Sequence, residues 1–434
     1  MLQGIMIIIL FLIIAGLMIS KKMPTLIALP LLAIGIAIIS GVPIIAKNAE
    51  GKNIGWLHTV IEAGSTRMSG AYISVIFGAW LGQMMNKSGV TENIIKKAAE
   101  LGGDKPLVVT IILSIVVALL FTTLAGLGSI IMVGTIVLPI LVSIGIPAIS
   151  AACIFLMSFA TGLSFNLANW QTYSNIFGVE IPNIREFSIY LMIATAIATL
   201  ALIVIEFKRN GMKFAFSSNV EFNSQQKNQI KGFRGFLAML TPIVPIIMVV
   251  AFNTPIVSAF LVGILWISIA TFKNWNKMMN SLTKSCYDGF SDAAPAVILM
   301  VGIGMLFLAV TNPKVMEVLN PFMLSITPRT RIMFVVFFVA LSPFALYRGP
   351  LNLFGLGSGI AALMISLNVL PTLSIMGAFL AVERIQAVGD PTNTQNVWTA
   401  NFVGVEVNTI TKKLMPYLWI LTTVGVVISA FKYF

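Results

Sequence analysis

Four side chains carry a formal charge where the surrounding sequence is apolar: Arg348, Glu383, Arg384 and Asp390. An ionised group at the centre of a membrane helix costs about 2.5–3.5 kcal/mol on insertion scales, so one is kept there for a partner, a ligand or an ion. Glu383 and Asp390 stand seven residues apart, which places them on one face of a helix. Glu383 and Arg384 read either as a structural ion pair or, for Arg384, as a contact to a neighbouring helix or to an anionic substrate. Arg348 lies in a Gly/Pro-rich stretch, and its guanidinium has the geometry to meet a carboxylate. Asp390 precedes Pro391, a strong helix stop, and is a candidate for coupling to a cation or a proton.

These charges sit in or beside polar interruptions of apolar sequence. One type reads as a hairpin tip: Thr122-Thr123-Leu124-Ala125-Gly126-Leu127-Gly128-Ser129, and Tyr347-Arg348-Gly349-Pro350-Leu351-Asn352 followed by Gly355, Gly357 and Ser358. Glycine permits a tight reversal and close approach of backbone N–H groups to a ligand, and the helix that follows turns its positive end toward the tip. The bland alternative is a tight interhelical turn packed through small residues. The other type is Ser164-Phe165-Asn166-Leu167-Ala168-Asn169-Trp170-Gln171-Thr172 and Gly389-Asp390-Pro391-Thr392-Asn393-Thr394-Gln395-Asn396. Amides, hydroxyls and unwound carbonyls there can coordinate Na⁺ or hydrogen-bond a carboxylate; a capping loop outside the bilayer is the alternative. The candidate substrate-binding set is Gly126, Gly128, Ser129, Asn166, Asn169, Gln171, Thr172, Arg348, Asn352, Thr392, Asn393 and Gln395. The candidate cation-coupling set is Ser129, Asn169, Asp390 and Asn393. Glu62 and Arg67, flanking Gly64, read as membrane-edge charges.

The elements that position these residues follow from composition. Of 434 residues, 58% are hydrophobic and 10% charged, where a soluble domain carries about 25% charged residues. Apolar runs such as 26–45, 107–124 and 187–205 approach or reach the ~20 residues that cross a bilayer as a helix. The first run lacks a basic leader and a small-x-small cleavage site, and Lys21-Lys22 follow it as an anchor. The net charge of +12 lies in short loops, where it orients spans and does not imply nucleic acid. Cys153 and Cys286 form no CxxC pair and read as packing residues. One histidine, His58, leaves no His-based catalytic or metal cluster, and no HExxH or GxSxG pattern is present, so the chain does not read as a membrane enzyme.

The chain also contains its own copy. At an offset of 224 residues Gly78 falls on Gly302, Ser88-Gly89 on Asn312-Pro313, and Pro147 on Pro371. The same offset places Asn169-Trp170-Gln171-Thr172 on Asn393-Thr394-Gln395-Asn396. Arg348 and Asp390 fall on Leu124 and Asn166, so the charges belong to the second copy alone. The expected organisation is repeat one over 1–206, a basic linker over 207–234, and repeat two over 235–434. With the linker cytoplasmic, loops around Lys21-Lys22, 87–105 and 273–284 also fall inside and both termini fall outside. The awkward loop is 312–331, which carries Lys314, Arg329 and Arg331 yet falls outside. The fold class is therefore an all-α polytopic membrane protein of two inverted repeats. Each has about five crossings, a re-entrant helical hairpin and a broken helix.

This pattern resembles the ion transporter superfamily, which includes citrate–metal symporters, gluconate permeases, C4-dicarboxylate carriers and some Na⁺/H⁺ antiporters. The likeness rests on Leu124-Ala125-Gly126-Leu127-Gly128-Ser129 with Pro139, on Asn169-Trp170-Gln171-Thr172, and on Gly389-Asp390-Pro391-Thr392-Asn393. It is closest to the citrate–metal symporters and covers most of the chain, though Ala125, Leu127 and Ile130 replace the more acidic or Ser/Thr-rich first tip of such relatives. The resemblance implies elevator-type alternating access, homodimers, and uptake of a small carboxylate driven by Na⁺ or H⁺ across the inner (cytoplasmic) membrane. No cofactor is expected beyond the coupling ion. A Na⁺/H⁺ antiporter on the same fold is the alternative, and a passive channel stands further off.

Overall fold

A computed structural model describes residues 2–209 and 232–434. Most of the basic linker, residues 210–231, lies outside the described residues. Everything described is helix and connecting turn, apart from one isolated β-bridge between Lys47 and Asn53.

The first half runs α1 (Leu2–Ile19), α2 (Thr25–Ile39), α3 (Ala63–Thr66), α4 (Ser69–Lys87) and α5 (Val90–Leu101). A hairpin of α6 (Pro106–Phe121) and α7 (Leu127–Ser143) follows, then α8 (Ala148–Leu163), α9 (Leu167–Phe177) and α10 (Ile181–Arg209). The second half runs α11 (Gly232–Met239), α12 (Ile243–Phe252), α13 (Ile256–Ala270), α14 (Trp275–Val310) and α15 (Pro313–Ile326). Its hairpin pairs α16 (Arg331–Leu341) with α17 (Gly357–Ser366), and α18 (Thr372–Gly389), α19 (Thr394–Val403) and α20 (Val407–Tyr433) complete it.

The order repeats at the 224-residue offset. Pro147 and Pro371 each stand at the N-cap of a long helix, with ψ of 141° and 133°. Proline suits that position because its missing N–H has no intrahelical partner to lose. The Ser88-Gly89 and Asn312-Pro313 turns both open an amphipathic helix, α5 and α15. The copies also differ: α3, α4 and the π-turn before them (Leu57–Glu62) are interrupted segments, whereas their counterpart α14 is one helix of 36 residues. At 1.5 Å per residue α14 is about 54 Å long, well beyond the ~30 Å hydrocarbon thickness.

Among the described residues five helices are long and apolar enough to span a membrane, and two bent pairs raise that to seven. One bent pair is α8 with α9, which meet at 60°. The chain is thus an all-helical polytopic membrane protein. Three pairs of equivalent elements pack against each other: α4 along α14, α10 along α20, and α8 along α18. Each hairpin's first arm packs on the broken helix of its own half, α6 on α8 and the Ser342–Arg348 turn on α18. Each second arm packs on the broken helix of the other half, α7 on α19 and α17 on α9. The second arms also touch the broken helix of their own half, α7 on α8 and α17 on α18, so each hairpin bridges the two halves.

Candidate functional site

In the first half the break is short, covering Ser164, Phe165 and Asn166 between α8 and α9. Asn166 is the N-cap of α9, its side-chain oxygen accepting from the Asn169 N–H at 3.1 Å. Its Nδ2 donates to Phe121 O at 2.8 Å and Leu124 O at 3.0 Å, carbonyls of the hairpin that have no helical partner. Leu167 N adds a bond to Thr122 O at 3.1 Å. One buried asparagine therefore ties hairpin one to the broken helix. Asn169, Gln171 and Thr172, expected in the break, stand inside α9, because the Asn166 cap starts the helix earlier than the polar run suggests. Thr172 is buried and its hydroxyl bonds back to Ala168 O.

The second half makes the same tie with a carboxylate. The tip is longer than expected, beginning at Ser342 with a 3₁₀ turn, and Tyr347 and Arg348 both adopt left-handed φ, 56° and 58°. Asp390, fully buried, accepts from Arg348 N (3.1 Å), Asn352 Nδ2 (3.2 Å), Thr392 N (2.9 Å) and Thr392 Oγ1 (2.7 Å). Asn352 Nδ2 also donates to Ala345 O at 2.9 Å. Ala345 is the repeat equivalent of Phe121, and Asp390 of Asn166. The same tip carbonyl is met directly by Asn166 in one half and through an Asn352–Asp390 relay in the other. Asp390 has four donors on its two oxygens, so a cation at this carboxylate competes with the hairpin for it.

The amides after Asp390 cap the end of α18. Asn393 Nδ2 donates to Gln386 O (2.5 Å), Gln395 Nε2 to Ala387 O (2.9 Å), and Asn396 Nδ2 to Asp390 O (2.8 Å). Gln386 Oε1 in turn accepts from Leu353 N of the tip at 2.7 Å. These groups hold the carbonyls that the Pro391 stop leaves without i+4 donors. Arg348 is half-buried, and its Nη1 binds Phe354 O within the tip at 3.2 Å.

Arg384 lies where the two halves meet. It is 1% exposed and ion-paired with Glu383, also 1% exposed. Its Nη1 donates to Ala160 O (2.8 Å) and Ser164 Oγ (2.6 Å), at the C-terminal end of α8. Tyr173 of α9 flanks the same guanidinium. Ala160 is the residue equivalent to Arg384, 224 positions earlier. A residue touches its own repeat partner only near the axis relating the repeats, so Arg384 marks that axis. A cation there also complements the negative end of α8.

At the first hairpin's tip Gly126 has φ 85°, a conformation that favours glycine. A Cβ on Gly128 would overlap the carboxylate of Asp292 from α14. Gln83 of α4 donates to the Asp292 Oδ2 at 2.6 Å, and one turn away Lys87 pairs with Asp288. The anion at the positive end of α7 is thus one of the chain's own side chains. Ser129 is buried against Gly82 of α4, its hydroxyl bonded to Ala125 O at 3.0 Å. Asp292 escaped the sequence reading because it adjoins an exposed helical extension; the signal was an acid three residues before Pro295 at the start of an apolar run. Arg67, expected at the membrane edge, is half-buried, with its guanidinium 3.9 Å from the Phe307 ring centroid and bonded to Asn175 O at 3.4 Å. Gln171 joins that cluster by donating to Asn175 Oδ1 at 2.9 Å and does not reach a hairpin tip.

By sequence the chain matches no known protein family and no curated protein. By structure it is similar to the YdaH transporter of Alcanivorax borkumensis, described as having an unusual topology. The TM-score is 0.58 at 12% identity, over 99% of this chain and 97% of that one. It is also similar to Neisseria gonorrhoeae MtrF, described as illuminating a class of antimetabolite efflux pumps. There the TM-score is 0.61 at 13% identity, over 95% of this chain and 96% of that one. At such identity the likeness establishes a shared fold along essentially the whole chain. It is a fold found in transporters, and neither structure is described as a citrate, gluconate or C4-dicarboxylate carrier.

Proposed function

We propose that this protein is a secondary active transporter that carries a small organic anion, such as a carboxylate, across the cytoplasmic membrane by elevator-type alternating access. Na⁺ or H⁺ supplies the driving gradient. The reading rests above all on one observation: each hairpin tip is tied to its own broken helix by equivalent residues, Asn166 and Asp390, and a buried arginine, Arg384, joins the two broken helices. Paired, discontinuous helices at equivalent positions are where transporters of inverted-repeat design bind substrate and coupling ion. The shared fold with two transporters supports the same class.

In this reading Arg348 and the tip amides meet the anion, while α9 brings Asn169, α19 Gln395 and the turn before α19 Thr392 alongside. Asp390 and Asn393 respond to the coupling ion through the hairpin they hold. The inverted repeats span 1–206 and 235–434, the linker 207–234 faces the cytoplasm, and both termini lie outside. A homodimer fits the proposed elevator. The assay is counterflow and uptake of radiolabelled citrate, succinate and gluconate in proteoliposomes, with Na⁺ and pH gradients imposed separately in both directions. Gradient-dependent movement of one acid is the expected result. Na⁺-driven proton flux with no organic substrate would instead establish the antiporter alternative, and single-channel conductance a pore.

A further inference from the structure

A crevice of about 420 Å³ separates hairpin two from the elements opposite it. Its floor is buried hydrocarbon: Leu32 and Ile36 of α2, Leu306 of α14, and Leu351, Leu356 and Leu363 of the hairpin. Its one polar lining residue, Thr327, spends its hydroxyl on Met323 O at 2.7 Å. Water needs two to four polar partners to occupy a cavity stably, and this one supplies almost none. Whatever fills it is hydrocarbon.

The mouth shows where that hydrocarbon comes from. Leu12, Phe322, Ile326 and Phe344 form the rim and are 62%, 45%, 43% and 57% exposed. Leu12 and Phe344 belong to the candidate spans Leu2–Ile19 and Arg331–Arg348, each only 22% buried. The crevice is therefore continuous with the apolar belt that faces lipid, and its volume lies in the range of small-molecule sites.

We propose that a phospholipid acyl chain enters here and packs between hairpin two and the α1–α2–α14–α15 wall. The headgroup stays outside, since nothing within can bond it. Because one wall carries Leu351 and Leu356, three to eight residues past Arg348, the inserted chain acts as a spacer behind the tip. Movement of hairpin two then requires the chain to leave or shift. This site is independent of the substrate assigned above.

The test uses full-length protein in phosphatidylethanolamine–phosphatidylglycerol vesicles doped with a phosphatidylcholine that bears a diazirine on its acyl chain. Mass spectrometry after photolysis is expected to find labels on the floor residues Leu32, Ile36 and Leu306, as well as on exposed Ile197 of α10, 63% exposed, which serves as the bulk-lipid control. Leu363→Trp fills the crevice and is expected to lower floor labelling about tenfold, equivalent to two buried methylenes at about 0.8 kcal/mol each. Labelling of Ile197 should not change. Wild-type protein labelled at Ile197 with a bare floor overturns the proposal without reference to any variant. So does disulfide formation between Leu12→Cys copies with no floor label, which would make a second copy of the chain the cover.

Discussion

Replacing Asp390 with Asn changes one atom's chemistry and almost no volume, so its effect can be worked out bond by bond. The side-chain oxygen of the new amide keeps the pair of bonds from Thr392 N and Thr392 Oγ1. The new NH₂ then faces Arg348 N and Asn352 Nδ2, which are both donors. Asn352 cannot rotate its amide to help, because its Nδ2 also holds Ala345 O. Two buried donors lose their acceptor, and at about 1–3 kcal/mol for each unsatisfied group the tip loses about 2–6 kcal/mol of its tie to α18. The lower bound corresponds to a nearly thirtyfold rise in local opening. Hydrogen exchange in detergent, read on peptides covering 342–356, measures this opening directly. The wild type should protect the Arg348 amide and the variant should expose it, with no change at the Phe121–Gly126 tip. The effect should be present without Na⁺, substrate or any gradient. Unchanged exchange at 342–356 alongside lost ion coupling would refute the tie and return Asp390 to the role of a plain cation ligand.

Other consequences are independent of that one. Arg384→Gln alone strands buried Glu383 without a counter-charge and is expected to cost about 3–5 kcal/mol in thermal or denaturant unfolding, with most of it restored by adding Glu383→Gln. Additive losses in the double variant would contradict the pair. Gly128→Ala places a methyl group on the Asp292 carboxylate and should lower both expression and transport. Asp292→Gly in the same chain should relieve it, whereas an equally defective double variant would show that Asp292 is not the obstacle. Arg348→Ala leaves Phe354 O without its donor and is expected to raise the KM for the anion. A KM that stays constant while transport fails would remove Arg348 from the substrate path.

Much of this architecture is legible in residue order, because the signals are local. Proline at 147 and 371 and the apolar runs fix where helices start, while the NxQ motif marks a helix start at Asn393 and lies inside α9 in the first half. The same offset carries from sequence to structure at α8 and α18, which start at Ala148 and Thr372, and drifts by several residues elsewhere, as between α2 and α13. What sequence does not disclose is how a polar residue spends its bonds. Asn393, Gln395 and Asn396 look like free ligands along the chain, yet their amides cap carbonyls at the end of α18. That use depends on a chain reversal of six to nine residues closing in space. Asp292 is the opposite case. Its importance comes from the hairpin tip of the other half, 164 to 166 positions earlier, and no local pattern connects Asp292 to Gly126 and Gly128.

The asymmetry of charge between the halves has a physical cause in the axis itself. Two equivalent residues that touch across a pseudo-two-fold cannot both be arginine, since each guanidinium would occupy the other's place and repel it in a low-dielectric interior. One copy must supply a small residue and a carbonyl, and Ala160 does; the other can then extend to reach it, and Arg384 does. With a cation fixed in the second half, that half also needs the compensating acid, which is why Glu383 adjoins Arg384 and has Phe159 as its apolar equivalent. Asn166 and Asp390 each bond their own hairpin and are under no such exclusion, so their divergence needs a separate reason. A neutral amide suffices where the tip offers carbonyls, as hairpin one does. A carboxylate is required where the tip offers N–H groups, as the left-handed turn at Tyr347 and Arg348 makes hairpin two do. The backbone conformation of the second tip therefore sets the charge of its partner, and restoring symmetry by Asp390→Asn is disfavoured for that reason.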